Sequence, residues 1–130
     1  MKTFCLDTNF LLRFLINDID KQAQEAENLL NKASAGEINC FVSIVVQMEI
    51  IYVLSSFYDQ NKTEVCDKVS LLYDLNFIDF EYLNTMKKAL EIYLKTSLSI
   101  QDAFLVSLSK ENKMQFTSFD KKAVNFFNKQ

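Results

Sequence analysis

A chain with one glycine, Gly36, and no proline has to build its tight turns by other means. Glycine supplies the left-handed backbone positions and proline the fixed-φ positions on which most turns rest. Their scarcity rules out a Rossmann fingerprint and a Walker loop, which need glycines where backbone closes on phosphate. Asparagine is the next residue to tolerate positive φ, and it is abundant here. Histidine is missing altogether. That removes the commonest general base, the usual nitrogen ligand for metals, and every Ser-His or Cys-His nucleophile pair. Catalysis in such a chain rests on carboxylates, lysines, hydroxyls or a metal held by oxygen.

The 130 residues have the length of one ordinary domain, 1–130, large enough for one real core. Nearly half are apolar and twelve are Phe, a globular composition and not a disordered one. No apolar run reaches bilayer length without charges, and "MKTFCLDTNF" meets an acid at position 7, which is not the pattern of a secretory signal. A cytoplasmic protein with no membrane span is expected. Cys5, Cys40 and Cys66 are odd in number and lack metal-type spacing, so they read as small core residues kept reduced. The net charge of -3 argues against broad, sequence-blind attachment to nucleic acid, while leaving room for a local basic rim.

Hydrophobic spacing predicts strands at 2–6 ("KTFCL"), 38–43 ("INCFVS"), 76–80 ("NFIDF") and 114–119 ("MQFTSF"). Between them, helices are predicted at 9–17, 19–37 (ending near Gly36), 44–60, 62–75 (capped by Asn61 or Thr63), 81–96, 99–113 and 121–130. Short apolar strands separated by helices predict an α/β layered domain with a mostly parallel sheet. Ligands of such sheets gather at the carboxyl ends of the strands.

Four acids interrupt this pattern. Asp7 and Asp120 each follow an apolar strand directly, and Glu49 has Val45, Val46, Tyr52 and Val53 at helical offsets. Asp102 has Leu98, Ser99, Leu105 and Val106. Each has an ordinary explanation. Asp7, Asp102 and Asp120 are placed to cap helices, and Glu49 to pair with a lysine. Taken together they can converge at one sheet edge. Carboxylates that close repel one another, and Mg2+ or Mn2+, which prefers oxygen ligands, would resolve the repulsion. Asp7 reads best as a metal ligand at a strand end.

The stretches "CLDTNFLLRFL", "VSIVVQMEIIYVL", "SIQDAFLVSLSKEN" and "FTSFDKKAVNF" resemble, in order and spacing, the PIN-domain family, and within it the VapC-like ribonuclease toxins of type II toxin–antitoxin pairs. The resemblance covers nearly the whole chain and puts Asp7, Glu49, Asp102 and Asp120 at that family's four acidic positions. It implies a three-layer fold with a central, mostly parallel sheet of 4–5 short strands flanked by helices. It also implies endoribonuclease activity with Mg2+ or Mn2+, through water activated for in-line attack on a phosphodiester. Asp7, Asp102 and Asp120 become metal ligands, and Glu49 a ligand or the group orienting water. Thr8, Asn9, Ser43 and Ser118 become hydrogen-bonding supports for the carboxylates. Arg13, Lys121 and Lys122 become candidates for RNA phosphate contact. A homodimer and a separate protein antitoxin are the implied partners. The middle helices add Phe57, Tyr58, Leu71, Leu72 and Tyr73 as a candidate apolar interface.

Other readings fit less well. A haloacid-dehalogenase-type phosphatase needs a second acid two residues after the first, where this chain has Asn9. A receiver domain needs an adjacent acidic pair after the first strand, which is not there. A PIN fold kept only for binding RNA or protein would have no need of all four acids. Where a glycine commonly precedes the last strand of the family, "KENK" must turn the chain, with Asn112 expected at positive φ.

Overall fold

The computed structural model describes all residues, 1–130. The chain divides into two compact units, Met1–Glu81 and Tyr82–Gln130. It contains seven helices and a parallel sheet, the α/β class expected.

The first unit holds β1 (Thr3–Cys5), α1 (Thr8–Ile16), α2 (Asp20–Ser34), β2 (Asn39–Val42), α3 (Ile44–Ser56), α4 (Lys62–Tyr73) and β3 (Ile78–Phe80). Its sheet has the order β1-β2-β3, parallel throughout, with Phe4 opposite Cys40 and Phe41 opposite Asp79. The central strand buries Cys40 and Val42, and β3 buries Ile78 and Phe80. Around them Leu11, Leu12, Ile50, Ile51, Leu54, Val65 and Leu72 are fully enclosed, each contributing about 1.5–3 kcal/mol by leaving water.

Local chemistry sets the helix ends. Asn17 closes α1 in the left-handed conformation at φ 56, its N–H donating to the Arg13 carbonyl at 3.1 Å. After α2 the chain turns at Gly36, φ +79, where Gly36 N–H reaches Ala33 and Glu37 N–H reaches Lys32, both at 3.0 Å. This is a Schellman closure, whose left-handed position favours glycine. Asn61, one of the two expected caps, forms a reciprocal capping box with Glu64 at the start of α4.

The second unit holds α5 (Leu83–Lys95), α6 (Ile100–Glu111) and α7 (Lys121–Lys129). Helices α5 and α6 pack together, and Met86 and Ala89 of the one and Ala103 and Val106 of the other are enclosed. They are cross-linked where the buried Thr85 hydroxyl donates to Glu111 at 2.6 Å and Lys88 pairs with Glu111 at 3.1 Å. The Thr85 hydrogen bond is the largest influence on Glu111; burial opposes it, Lys88 adds to it, and the carboxyl is held below its ordinary value.

The sheet has three strands. The run 114–119, expected as a fourth, makes no strand pairing. Alternating apolar residues favour an extended chain, but a strand also needs ladder partners. Met114 N–H is instead used at 2.8 Å on the Ser109 carbonyl, closing α6. The positive φ expected at Asn112 falls on Lys113 (φ 55). Helix α6 runs through Glu111, making Asn112 the cap and Lys113 the left-handed residue after it. The Asn112 amide donates to the Leu108 carbonyl at 2.8 Å instead.

Cys40 and Cys66 are buried and Cys5 is exposed, all three as free thiols. Cys5 departs from the expected core position because β1 alternates, placing Cys5 on the same exposed face as Thr3. Burial pushes the Cys40 and Cys66 thiols up.

Candidate active site

Asp7 lies two residues beyond β1 and is the N-cap of α1. Its Oδ1 accepts the Phe10 N–H at 2.8 Å. The carboxylate is exposed and its other oxygen has no protein partner. Thr8 is buried at the first position of the helix. Asn9 is exposed on the rim of a cleft of about 270 Å³ shared with Phe10, Arg13, Gln22 and Glu25.

Glu49 departs from the buried position its apolar neighbours suggest. It is exposed on α3, and so are Val45 (69%) and Tyr52 (64%) on the same face. It forms no ion pair, so the lysine partner offered as its ordinary explanation is absent. The enclosed polar residue of α3 is Gln47, 2% exposed. Its amide nitrogen donates to the Glu81 carbonyl at 2.8 Å and to the Val42 carbonyl at 3.3 Å, and its oxygen accepts from the Tyr73 hydroxyl at 2.6 Å. Burial alone pushes the Tyr73 hydroxyl up, well above its ordinary value.

The first turn of α3 is held from two sides. Ser43 Oγ accepts the Val46 N–H at 3.3 Å, and Glu81 Oε1 accepts the Ile44 N–H at 2.8 Å. The helix that carries Glu49 is thus anchored by Ser43, Gln47, Tyr73 and Glu81. Only Ser43 was foreseen. Gln47 had a visible signal, a polar side chain inside "IVVQMEII"; Tyr73 and Glu81 had none short of the fold.

In the second unit, Asp102 sits half-buried in the first turn of α6. The cap of that helix is Ser99, whose Oγ accepts the Asp102 N–H at 3.1 Å. The Asp102 side chain itself forms no ion pair. Asp120 is the N-cap of α7, its Oδ1 accepting from Lys122 N–H at 3.0 Å and Ala123 N–H at 3.3 Å. Ser118 Oγ accepts the Asp120 N–H at 2.9 Å. Ser43 and Ser118 therefore act on backbone N–H groups near the acids, not on the carboxylates, because each stands where a helix or turn leaves an amide unpaired.

Among the basic candidates, Arg13 is engaged. Its guanidinium pairs with Asp18 at 2.5 Å and donates to Tyr58 Oη at 3.4 Å, while Tyr58 Oη donates to Asp18 at 3.0 Å. Burial opposes ionisation of Asp18, but the hydrogen bonds from Tyr58 and Arg13 outweigh it and hold the carboxyl below its ordinary value. Lys121 and Lys122 are exposed and form no ion pair. Of the apolar interface candidates, Phe57 and Leu71 are exposed, while Leu72 and Tyr73 are core.

Neither unit by itself gathers three or more His, Cys, Asp or Glu side chains in position to hold a metal. The donor chemistry does suit a hard divalent cation. Asp7, Glu49, Asp102 and Asp120 offer carboxylate oxygens, and neither of the two ion pairs in the chain occupies them. No helix is long and apolar enough to cross a membrane. No curated protein and no solved structure matches the chain. The family model described as the PIN domain matches residues 4–127. PIN domains are generally nucleases and typically bind divalent metal ions. The match runs through both units and takes in Asp7, Glu49, Asp102 and Asp120, and the chain belongs to the PIN domain family.

Proposed function

We propose that residues 1–130 form a single domain acting as a Mg2+- or Mn2+-dependent endoribonuclease, with Asp7, Glu49, Asp102 and Asp120 as its catalytic acids. The observation that carries this is the state of those four side chains in a chain of this family. None is neutralised by a lysine or arginine, although Asp7 and Asp120 are each held in place by helix amides.

Asp7, Asp102 and Asp120 would hold the cation, and Glu49 would either add a ligand or orient the attacking water. When bound, such an ion supplies positive charge to the phosphoryl oxygens and lowers the pKa of water. The cap bonds do the positioning. With Oδ1 fixed by backbone N–H groups, the second oxygen of Asp7 and of Asp120 is held outward, so little side-chain freedom is left to lose on binding. With no histidine in the chain, an imidazole-based, metal-free cleavage is ruled out. Lys121 and Lys122 are free to meet phosphates.

The finer role, a toxin of a toxin–antitoxin pair working in the cytoplasm, is supported by the likeness of the four motif stretches to VapC-like proteins. A homodimer is supported by the exposed Val45 and Tyr52 of α3, Phe57 at its C-cap and Leu71 of α4.

The test is incubation of the purified chain with mixed RNA in Mg2+ or Mn2+, followed by sequencing of fragment ends. Cleavage is expected with either ion and none in chelator. Cleavage that survives chelation would reject the metal-dependent mechanism, and no cleavage with either ion would reject the nuclease.

A further inference from the structure

The segment 114–119 contains two phenylalanines in opposite situations. Phe116 is half-buried, its ring 5.9 Å from that of Phe127, which in turn lies 4.0 Å from Lys110 Nζ. Phe119 is 106% exposed, more than any other large apolar side chain, and touches no other ring. Packing explains Phe116 and leaves Phe119 without a role in the fold.

The backbone on either side of it is nevertheless tied. On one side Ser118 Oγ accepts the Asp120 N–H at 2.9 Å, and on the other Asp120 Oδ1 accepts from Lys122 and Ala123. The bare ring is therefore carried by a tied turn beside the Asp120 carboxylate. Lys121 and Lys122 follow in the first turn of α7, which contains no acidic residue. Neither lysine forms an ion pair, which leaves both available to a nearby phosphate.

We infer that Phe119 is a base-stacking platform that takes an unpaired nucleobase of single-stranded RNA on its face, while Lys121 and Lys122 meet adjoining phosphates. The inference rests on the ribonuclease reading and deepens it, naming the side chain that receives a base of the substrate. Stacking on an exposed aromatic accepts any base, because every base has a π-face. Paired bases are already stacked on their neighbours, so a duplex cannot use the platform.

The chain has no tryptophan, so Phe119→Trp installs a single reporter. In the 130-residue chain carrying Asp102→Asn to prevent cleavage, and in Mg2+, its fluorescence should be quenched by a single-stranded RNA of about a dozen nucleotides. An abasic strand of equal length should quench little. Phe119→Leu keeps apolar bulk without a π-face, and its full exposure leaves the melting temperature unchanged. It should bind the single strand about tenfold or more weakly, and cleave it correspondingly less well at low RNA concentration. Phe119→Leu binding and cleaving at wild-type levels would overturn the platform while leaving the nuclease standing. Equal quenching by the abasic strand would also overturn it. A wild-type chain that neither binds nor cleaves RNA would overturn both.

Discussion

Of the four acids, each compact unit holds one tied to a helix cap, Asp7 in the first and Asp120 in the second, and one that caps no helix, Glu49 and Asp102. They differ in what stiffens the helices behind those acids. In the first unit the buried part of the support for α3 is the uncharged pair Gln47 and Tyr73, with the Glu81 carboxylate and Ser43 holding the first turn from less buried positions. In the second unit α5 and α6 are joined by a link with a charged centre, Glu111 between Thr85 and Lys88. A neutral buried network is strong only while every member is satisfied, since an orphaned group cannot turn to water. A partly exposed ionic link loses less when broken and responds to pH. The chain thus fixes similar acids on two kinds of scaffold, and the kinds can be told apart by experiment.

The largest effect should come from removing one acid in each unit. Asp7→Asn keeps a capping oxygen as good as the original, so its fold should be unharmed. Asp102→Asn removes no cap, because Ser99 holds that helix. Both should lower metal-dependent RNA cleavage by orders of magnitude, since a lost ligand misplaces cation and water together. The double variant should be little worse than either single, as expected of residues that act as one unit. Initial cleavage rates of a labelled RNA in excess Mg2+, with melting curves alongside, decide it. If either single variant cleaves at the wild-type rate, that residue leaves the catalytic set. Multiplicative losses in the double variant would mean the two acids act separately.

Next in size is Tyr73→Phe. It removes one hydroxyl and strands the Gln47 oxygen in the core, which should cost about 1–3 kcal/mol of stability. Denaturant unfolding measures this directly. A cost near zero would show that Gln47 finds another donor, and the contrast between the two scaffolds would weaken.

Much of this arrangement was legible in the sequence, and the misreadings share one cause. Asp7 and Asp120 stood out because an acid directly after an apolar stretch marks a place where the chain leaves the core. Asn61 was readable as a cap for the same local reason. The exposure of Glu49 was not legible because α3 is apolar on nearly every side. Periodicity in such a helix marks a stripe without saying which stripe faces water. Val45 and Tyr52 look like core neighbours and are exposed, while Gln47, polar and overlooked, is buried. The segment 114–119 failed likewise, since alternation is local but strand pairing depends on a partner elsewhere in the chain. Lys113 took the left-handed position because the helix stop, not the residue's own preference, set where the turn fell.

Smaller effects should follow from the caps themselves. Asp7→Ala and Asp120→Ala each leave helix amides unpaired, at about 1 kcal/mol apiece. Asp7→Asn and Asp120→Asn should cost much less, separating cap from charge in both units alike. Melting temperatures of the four variants check this. Equal losses for Ala and Asn at either site would mean that the charge, not the capping oxygen, is what holds that helix.

The smallest expected effect is also the sharpest test of the contrast, because it concerns pH. Glu111 is held below its ordinary value first of all by the Thr85 hydroxyl, with Lys88 adding to it. A carboxyl with a lowered folded pKa contributes stability that is present above the unfolded value and is lost as pH falls through the folded one. Thr85→Val keeps the shape of a buried side chain and removes only the hydroxyl. Its stability deficit against wild type should therefore be steady above the ordinary glutamate range, near 4.5, and should shrink as pH falls below it. Tyr73→Phe should show no such narrowing in acid, because neither Tyr73 nor Gln47 changes charge there. Paired melting series from neutral to acid pH read both curves on the same protein. A Thr85→Val deficit that stays constant into acid would mean the hydroxyl does not favour the ionised Glu111. The Thr85 bond would then be, like that of Tyr73 to Gln47, indifferent to charge.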